Sequence, residues 1–184
     1  MSAVMELPVA EVGVETPKLY EIVNGIMEEK PMAGARHGGV GGRLFIPLGS
    51  FIYTNRLGGV YTEATTFTIG ANERMPDISF VSAARIPPEG EPEGKWEIAP
   101  DLAIEIISPT DYLEKATDKI RDYFAAGVRQ VWQVSTKYRT LTIYHALTRV
   151  TILTEDDTLT CEELLPGFTL PLRDIFALPR PAEN

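Results

Sequence analysis

Alternating hydrophobic and polar residues predict strands at several places in the chain, and longer apolar spacings predict helices between them. Asn24-Gly25 separates Lys18–Val23 from Ile26–Lys30, and this pair supplies the positive φ angles of a tight hairpin turn. Apolar residues at helical spacing predict a first helix over His37–Asn55, although the glycines and the proline in that stretch disfavour a helix. The N-terminal part of the fold is therefore predicted to be a hairpin followed by a helix.

The middle of the chain alternates between strands and a second helix. Four strands are predicted over Val60–Ile69, residues 75–82, Leu102–Ile107 and Val128–Val134, and a helix over about Tyr112–Ala126 separates the last two. A strand–helix–strand step gives a parallel crossover, whereas direct connections give antiparallel pairs. The predicted fold class is therefore α/β, with a mixed central sheet flanked by helices.

The two ends of the chain differ in character. Near the C-terminus, Thr140–His145 and Val150–Leu153 predict a meander, and the apolar residues from Glu162 onward are predicted to pack across the sheet. Residues 1–17 show no periodicity, so we predict a flexible lead-in there. Residues 18–184 are long enough to bury one core and are predicted to form a single domain.

Composition and charge narrow the classes of function. A single cysteine, Cys161, excludes an intramolecular disulfide and a thiolate cluster for zinc. The sequence has no apolar run of the roughly 18 residues that span a membrane and no secretory signal pattern, so we expect a cytoplasmic protein. The net charge of −9 argues against broad electrostatic attraction to nucleic acid or anionic membranes. Carboxylates gathered around a metal site would contribute to that charge, so a nuclease is not excluded.

Two carboxylates lie on predicted strands whose other residues are mostly apolar. Asp77 falls in the strand over residues 75–82, and Glu105 falls in the strand over Leu102–Ile107. Burying an ionised carboxylate is costly unless a partner or a metal compensates. Carboxylate oxygens are also the ligands that Mg²⁺ prefers. The pair therefore predicts a divalent-cation site, to which the backbone carbonyl of Ile106 could add a third ligand.

A lysine on the second predicted helix is the candidate cation for this site. Lys119 lies close to the apolar face of that helix, so its amine could orient a water or neutralise a developing anion beside Asp77 and Glu105. Lys115 stands four residues earlier on a shared face. The alternative is a solvated Lys119, and spacing alone favours neither arrangement. A solvated Lys119 would pair with Asp118, Glu114 or Asp122.

Four further residues are weaker candidates for the site: His37, Glu63, Asp101 and Tyr123. His37 opens the first predicted helix, where it either touches a phosphate or a metal-bound water or simply caps the helix. Glu63 could supply a further acid from a neighbouring strand. Asp101 is more readily explained by a hydrogen bond where its strand begins, and Tyr123 by packing in the core.

Several short motifs together resemble one family. They are Tyr20–Gly25, His37, Pro76-Asp77, Pro100–Pro109, Lys119–Tyr123, Ala126–Trp132, Leu165–Phe168 and Leu172–Phe176. Their order and spacing resemble the Uma-type family of bacterial restriction-endonuclease-like proteins, which belongs to the PD-(D/E)xK nuclease superfamily. The resemblance extends over roughly residues 18–177 and implies a restriction-endonuclease-like core with an added N-terminal hairpin and C-terminal meander.

The resemblance also implies roles for individual residues. Asp77 and Glu105 correspond to the two metal-binding acids of the superfamily. The superfamily's lysine normally stands two residues after the second acid, where this sequence has Ile107, and the family carries it on the following helix, at Lys119. The implied cofactor is Mg²⁺ or Mn²⁺. The implied activity is that of an endonuclease that hydrolyses phosphodiester bonds of nucleic acid, with DNA as the expected substrate.

The sequence leaves alternatives open for the oligomeric state, for other partners and for whether the protein is an active enzyme. We expect a homodimer, because a small acidic domain would need a second subunit to cut both strands, and an unidentified partner for specificity or regulation is a further hypothesis. The alternative to an enzyme is a catalytically silent nuclease-fold module for binding or assembly. The acidic composition and Ile107 favour that alternative, whereas the intact set of Asp77, Glu105 and Lys119 disfavours it.

Overall fold

The computed structural model describes residues 18–107 and 113–178. The predicted lead-in over residues 1–17 and the predicted start of the second helix at Tyr112 lie outside the described residues. No helix in the described part of the chain is long and apolar enough to cross a membrane.

A six-stranded sheet forms the centre of the fold. Its strands, in spatial order, are β10 (Arg149–Thr154), β9 (Thr140–Ala146), β8 (Gln130–Ser135), β7 (Leu102–Ile107), β6 (Ile78–Ser82) and β3 (Gly58–Thr62). Strands β7 and β8 are parallel and all other neighbours are antiparallel. The predicted mixed sheet with one parallel crossover is therefore confirmed, as is the predicted C-terminal meander.

A second sheet of four short strands contains the N-terminal hairpin. Its order is β2 (Ile26–Lys30), β1 (Leu19–Val23), β5 (Asn72–Arg74) and β4 (Phe67–Ile69). The hairpin turn has the predicted positive φ angles, 53° at Asn24 and 78° at Gly25. Through β5, this small sheet holds the hairpin next to the residues that lead into β6.

Two predicted strands were wrong in their extent. The predicted strand Val60–Ile69 is two strands in different sheets, because the chain turns after Thr62 with a hydrogen bond from Thr65 N to Thr62 O (3.0 Å). The predicted strand over residues 75–82 begins only at Ile78, and Asn72–Arg74 forms β5, a strand that was not predicted. Asp77 consequently lies just before β6, where its side chain can meet more than one element.

Helices cover both faces of the six-stranded sheet. The first helix, α1 (Ala35–Thr54), buries one side chain per turn against one face, and the second, α2 (Leu113–Ala125), packs on the other. The buried residues of α1 that form this line are Val40, Leu44, Leu48 and Ile52. A glycine at position 49 lets α1 approach β3 closely, because a Cβ there would lie 3.2 Å from Val60 Cγ1. Both predicted helices are thus confirmed, and Gly49 allows close packing of α1 on the sheet.

The C-terminal segment packs against the same core as α1. It contains a two-stranded ribbon, β11 (Thr158–Thr160) and β12 (Thr169–Pro171), and a short helix, α3 (Leu172–Phe176). Leu165 and Phe168 are fully or almost fully buried in that core. The predicted packing of the tail is confirmed, whereas the ribbon was not predicted because each of its strands has only three residues.

Candidate metal centre

The two predicted acids come together where β6 begins and β7 ends. Ile78 pairs with Ile104 in the antiparallel β6–β7 ladder, so the residue before Ile78 stands beside the end of β7. The Oδ2 atom of Asp77 accepts a hydrogen bond of 2.7 Å from the backbone N–H of Ile106. This bond fixes the Asp77 carboxylate next to the residue that follows Glu105.

Two further side chains donate to Asp77 from the N-terminal elements. Lys30, the last residue of β2, places its Nζ 2.9 Å from Asp77 Oδ1 and 2.6 Å from the carbonyl oxygen of Met75. His37, in the first turn of α1, has its Nε2 atom 3.1 Å from Asp77 Oδ2. Both oxygens of this carboxylate are therefore engaged by donors, and His37 lies in the site as the sequence suggested.

These donors control the ionisation of Asp77. Burial raises the pKa of the carboxyl, but the His37 hydrogen bond, the Lys30 cation and the Ile106 amide outweigh it and hold the pKa of Asp77 well below its usual range. In return, the hydrogen bond with Asp77 raises the pKa of His37 against the opposing effect of burial. Asp77 is thus an anion throughout the physiological pH range.

Glu105 has a different set of partners, which come from α2. Lys119 Nζ lies 3.0 Å from its carboxylate, and the hydroxyl of Tyr123 donates a 2.5 Å hydrogen bond to Oε1. Burial raises the pKa of Glu105, and the negative charge of Asp77 adds to that rise, while Lys119 acts against it. Tyr123 was both a weaker candidate for the site and an expected core residue. It is completely buried in the core and also donates a hydrogen bond to Glu105.

Lys119 points into the site. Its amine contacts Glu21 Oε1 at 3.0 Å as well as Glu105, and 17% of its side chain is exposed. Burial alone would lower the pKa of Lys119, but the charges of Glu105 and Glu21 raise it above its usual value. The alternative of a solvated lysine paired on its own helix does not describe this geometry.

Glu21 was not predicted from the sequence, yet it links the hairpin to the site. Its carboxylate accepts 2.8 Å and 3.1 Å hydrogen bonds from the backbone N–H of Met75 and from Arg74. Arg74 also donates to Asp122, one residue before Tyr123 on α2. The usable signal in the sequence was an acid in the middle of a predicted strand, and the structure buries this Glu21 while the two preceding residues are exposed.

The two remaining candidates, Asp101 and Glu63, occupy different positions relative to Asp77 and Glu105. Asp101 is almost completely buried and bonds to the backbone N–H of Ser82 (2.8 Å) and to Arg85 (3.2 Å), which fits a structural role at the start of β7. Glu63 is exposed in the turn after β3 and lines a cleft that also contains Asp77. That cleft has a volume of about 540 Å³ and opens beside Lys30 and His37.

Comparison with known proteins assigns the chain to a family. Residues 4–173 match the Uma2 family, described as "Putative restriction endonuclease". The chain belongs to this family. A solved structure described as "a putative nuclease belonging to DUF820", from Anabaena variabilis ATCC 29413, has the same fold, with a TM-score of 0.78 and 24% sequence identity over 88% of this chain and 93% of that chain. No curated protein matches the sequence.

Membership of the Uma2 family explains the predicted motifs and raises the question of a metal. Within residues 18–107 and 113–178, no three His, Cys, Asp or Glu side chains are grouped so that they would hold an ion by themselves. Mg²⁺ is commonly held by one or two carboxylates, with water and substrate phosphate completing its coordination. Asp77 and Glu105 provide two such acids, and the backbone of Ile106 lies beside them, since its N–H donates to Asp77.

The charges of the site also fit a divalent cation. Asp77 stays ionised, and its negative charge contributes to raising the pKa of Glu105. A cation between the two acids would relieve that repulsion, as Lys30 and Lys119 do in part. These oxygen donors are of the hard type that Mg²⁺ and Mn²⁺ prefer.

Proposed function

We propose that this protein is a Mg²⁺- or Mn²⁺-dependent nuclease that hydrolyses phosphodiester bonds in DNA. The observation that carries the proposal is the convergence of Asp77, Glu105 and Lys119 from three separate elements. Asp77 is tied to the backbone beside Glu105 at 2.7 Å, and Lys119 reaches Glu105 at 3.0 Å. Membership of the Uma2 family supports the same class of reaction.

The protein's own residues would perform distinct tasks in this reaction. Asp77 and Glu105 would hold the ion, with the Ile106 carbonyl as a further ligand. When bound, such an ion stabilises negative charge on the phosphoryl group and makes water more acidic. Lys119 stays cationic because two carboxylates contact it, so it would neutralise charge that develops on the scissile phosphate. Glu21 would keep the Lys119 amine in place while Glu105 binds the ion.

A cleavage assay with one isosteric variant tests the proposal. Purified protein and Glu105→Gln are incubated with labelled DNA in Mn²⁺ or Mg²⁺, and in chelator. We expect cleavage by the wild type only with metal and a loss of at least about 100-fold in Glu105→Gln. The matched control is Glu97→Gln, at an exposed position, which should cleave normally. Equal cleavage by Glu105→Gln and wild type would sink the assignment.

A catalytically silent module remains the second candidate because the protein's own donors already engage the acids. Both Asp77 oxygens bind protein groups, and Glu105 is held by Lys119 and Tyr123. A calorimetric Mn²⁺ titration separates the two functions. Heat of binding in the wild type that disappears in Asp77→Asn supports the nuclease, whereas no heat in the wild type supports the silent module.

The assembly and location of the protein stay predictions. The homodimer was expected from the need to cut both strands of a duplex, and sedimentation of the full chain would test it. A specificity or regulatory partner and the cytoplasmic location rest on the same indirect reasoning. None of them enters the mechanism given for Asp77, Glu105 and Lys119.

A further inference from the structure

The cleft beside Asp77 has no role in the chemistry proposed above. It lies between the hairpin, the start of α1 and the end of β3, and its volume is about 540 Å³. That volume is typical of sites for small molecules, about 300–1,000 Å³. Among its lining residues are Lys30, His37 and Asp77, so any ligand in the cleft would lie against the metal-binding acid.

One wall of the cleft is a stretch of α1 that contributes three glycines between His37 and Phe45. Gly38 and Gly42 stand four residues apart on α1, and a Cβ at either position would meet nothing within 4 Å. Gly41 lies beside them and packs towards β7, where a Cβ would come within 3.1 Å of Ile106 Cδ1. Glycine permits close approach of a ligand to the backbone, so this wall keeps the cleft open.

The opposite wall combines apolar side chains with one lysine. Leu19 and Met32 both line the cleft, and 79% of Met32 is exposed. Lys30 lies between this wall and Asp77. Glu63 at the other side adds a negative charge, so the cleft is not a broadly basic surface. Such a site suits a ligand with one anionic group next to an apolar face.

An unpaired nucleotide has this combination, whereas a duplex does not present it. In a duplex the faces of the bases are stacked on one another, and a protein gains affinity mainly through many cationic contacts to phosphates. This chain has a net charge of −9, and its cleft contains a single lysine among the lining residues. Proteins that bind single strands join cationic contacts to the backbone with contacts to exposed base faces.

We propose that this cleft binds an unpaired stretch of the substrate strand next to the scissile phosphate, with Lys30 contacting a backbone phosphate. The inference rests on the proposed function, since it takes nucleic acid as the ligand. Lys30 is held by Asp77 and the Met75 carbonyl in the free protein. Its ammonium carries three N–H donors and these two contacts use two of them, so the third can donate to a phosphate oxygen whether or not an ion is bound at Asp77. Cleavage of unpaired strands would also remove the reason for expecting a dimer.

The experiment measures binding separately from cleavage. The full-length protein is titrated into a fluorescein-labelled single-stranded DNA, and into the same sequence as a blunt duplex, with chelator present and fluorescence anisotropy as the readout. Lys30→Gln removes the lysine of the cleft, and Gly42→Leu fills the cleft. Gly38→Leu serves as a second filling variant, and thermal melts verify that each variant folds.

Two control variants match these changes outside the cleft. Lys18→Gln removes the same charge from the same hairpin, at an exposed lysine that pairs with Glu29. Ser50→Leu adds the same side chain to an exposed position of α1. We expect single strands to bind more tightly than the duplex. Lys30→Gln and the two filling variants should each weaken binding of the single strand by about tenfold, and the controls should match the wild type.

The other outcomes would overturn either the cleft assignment or the proposed nuclease activity. Equal affinity for the duplex, or unchanged binding in both Lys30→Gln and the filling variants, overturns the inference even if the wild type cleaves DNA. Lys30-dependent binding without any metal-dependent cleavage leaves the cleft assignment standing and overturns the proposed nuclease. A wild type that binds no single strand overturns the cleft assignment whether or not it cleaves.

Discussion

Asp77 and Glu105 stand close together beside the end of β7, yet their surroundings shift their pKa values in opposite directions. Asp77 receives a backbone N–H, a lysine and a histidine, and its pKa falls despite burial. Glu105 is paired with Lys119, but burial together with the charge of Asp77 raises its pKa. Pairs of titratable groups with pKa values pushed apart are a common basis for different roles at one site.

The contrast follows from where each acid stands on its strand. Asp77 precedes β6, outside the regular ladder, so the backbone of β7 and side chains from β2 and α1 can all reach it. Glu105 lies inside β7, between β6 and β8, and among the described residues its side-chain hydrogen bonds come from α2. Donors therefore surround the acid at the strand end, while the acid within the strand depends on one helix.

The largest effect is expected from removing the lysine on the Glu105 side. Lys119→Met leaves Glu21 and Glu105 without their shared cation, and breaking a buried pair in this way costs about 3–5 kcal/mol in the free energy of unfolding. Cleavage should be lost as well. Urea denaturation at pH 7 measures the change.

The control for this prediction is the lysine one turn earlier. Lys115 pairs with Glu28 on the surface, and 73% of its side chain is exposed. Lys115→Met should leave the free energy of unfolding unchanged within error, because exposed ion pairs contribute little. Similar losses in Lys115→Met and Lys119→Met would contradict the assignment of Lys119 to the buried site.

The next largest effect is expected when each acid is replaced by its amide and the losses in unfolding free energy are compared. At pH 7, Asp77→Asn leaves Lys30 without its buried counter-charge and should cost about 2–3 kcal/mol of unfolding free energy. Glu105→Gln should cost less than about 1 kcal/mol, because glutamine can still accept from Lys119 and Tyr123 while the penalty of burying a charge disappears. Both variants should lose activity, so stability and activity would separate only at Glu105.

The two acids should also affect the pH dependence of stability in opposite directions. The folded pKa of Asp77 lies below its ordinary value of 3.8, so its contribution is present above that value and is lost as the pH falls through the folded pKa. Glu105 has a folded pKa above its ordinary 4.5, so its ionisation reduces stability as the pH rises. The stability gap between wild type and Asp77→Asn should therefore narrow in acid. A gap of constant size from pH 7 to pH 3 would contradict this account.

Local sequence patterns were sufficient for the elements that carry the predicted acids. The hairpin, α1, α2 and β7 each have their own periodicity or turn signal, and Asp77, Glu105 and Lys119 could be placed on or next to them. The alternation of hydrophobic and polar residues over Val60–Ile69 led to one predicted strand instead of two. The alternation continues across the turn after Thr62, and no local sequence signal marks that turn. Strand β5 was missed because its three residues, Asn72–Arg74, are polar.

The partners of the acids could not be predicted by local pattern. Lys30 and Asp77 are 47 residues apart in sequence, and Glu21 and Arg74 are 53 residues apart. Their contacts depend on β5 pairing with β1, which brings the hairpin next to the start of β6. Once β5 was missed, nothing placed Lys30 or Glu21 near the site, although both were visible as charged residues in a predicted hairpin.

A smaller effect is expected at the hydroxyl that binds Glu105. Tyr123→Phe keeps the buried ring but removes the 2.5 Å hydrogen bond to Oε1, and we expect a loss of about 1.5 kcal/mol in unfolding free energy. The control is Tyr144→Phe, whose hydroxyl makes a 3.3 Å bond to Gln133 on a half-buried surface. Equal losses in the two variants would show that the Glu105 bond has no special strength.

The smallest effect should come from the histidine on the Asp77 side. His37→Gln can retain a hydrogen bond to Asp77 but loses the imidazolium charge, and we expect a cost of about 0.5 kcal/mol near pH 6. The raised pKa of His37 means that its extra stabilisation is fully present below the ordinary value of 6.5 and is lost as the pH rises through the folded pKa. The difference in unfolding free energy should therefore shrink by pH 9.

The second histidine provides the control for that prediction. His145 is on the meander and bonds to Thr151 at 3.0 Å, without a carboxylate beside it in the hydrogen bonds of the described chain. His145→Gln should show no such change between pH 6 and pH 9. A pH-independent effect of His37→Gln would mean that Asp77 keeps its low pKa through Lys30 and the Ile106 amide alone, and the Asp77 side would then resemble the Glu105 side in depending on a single lysine.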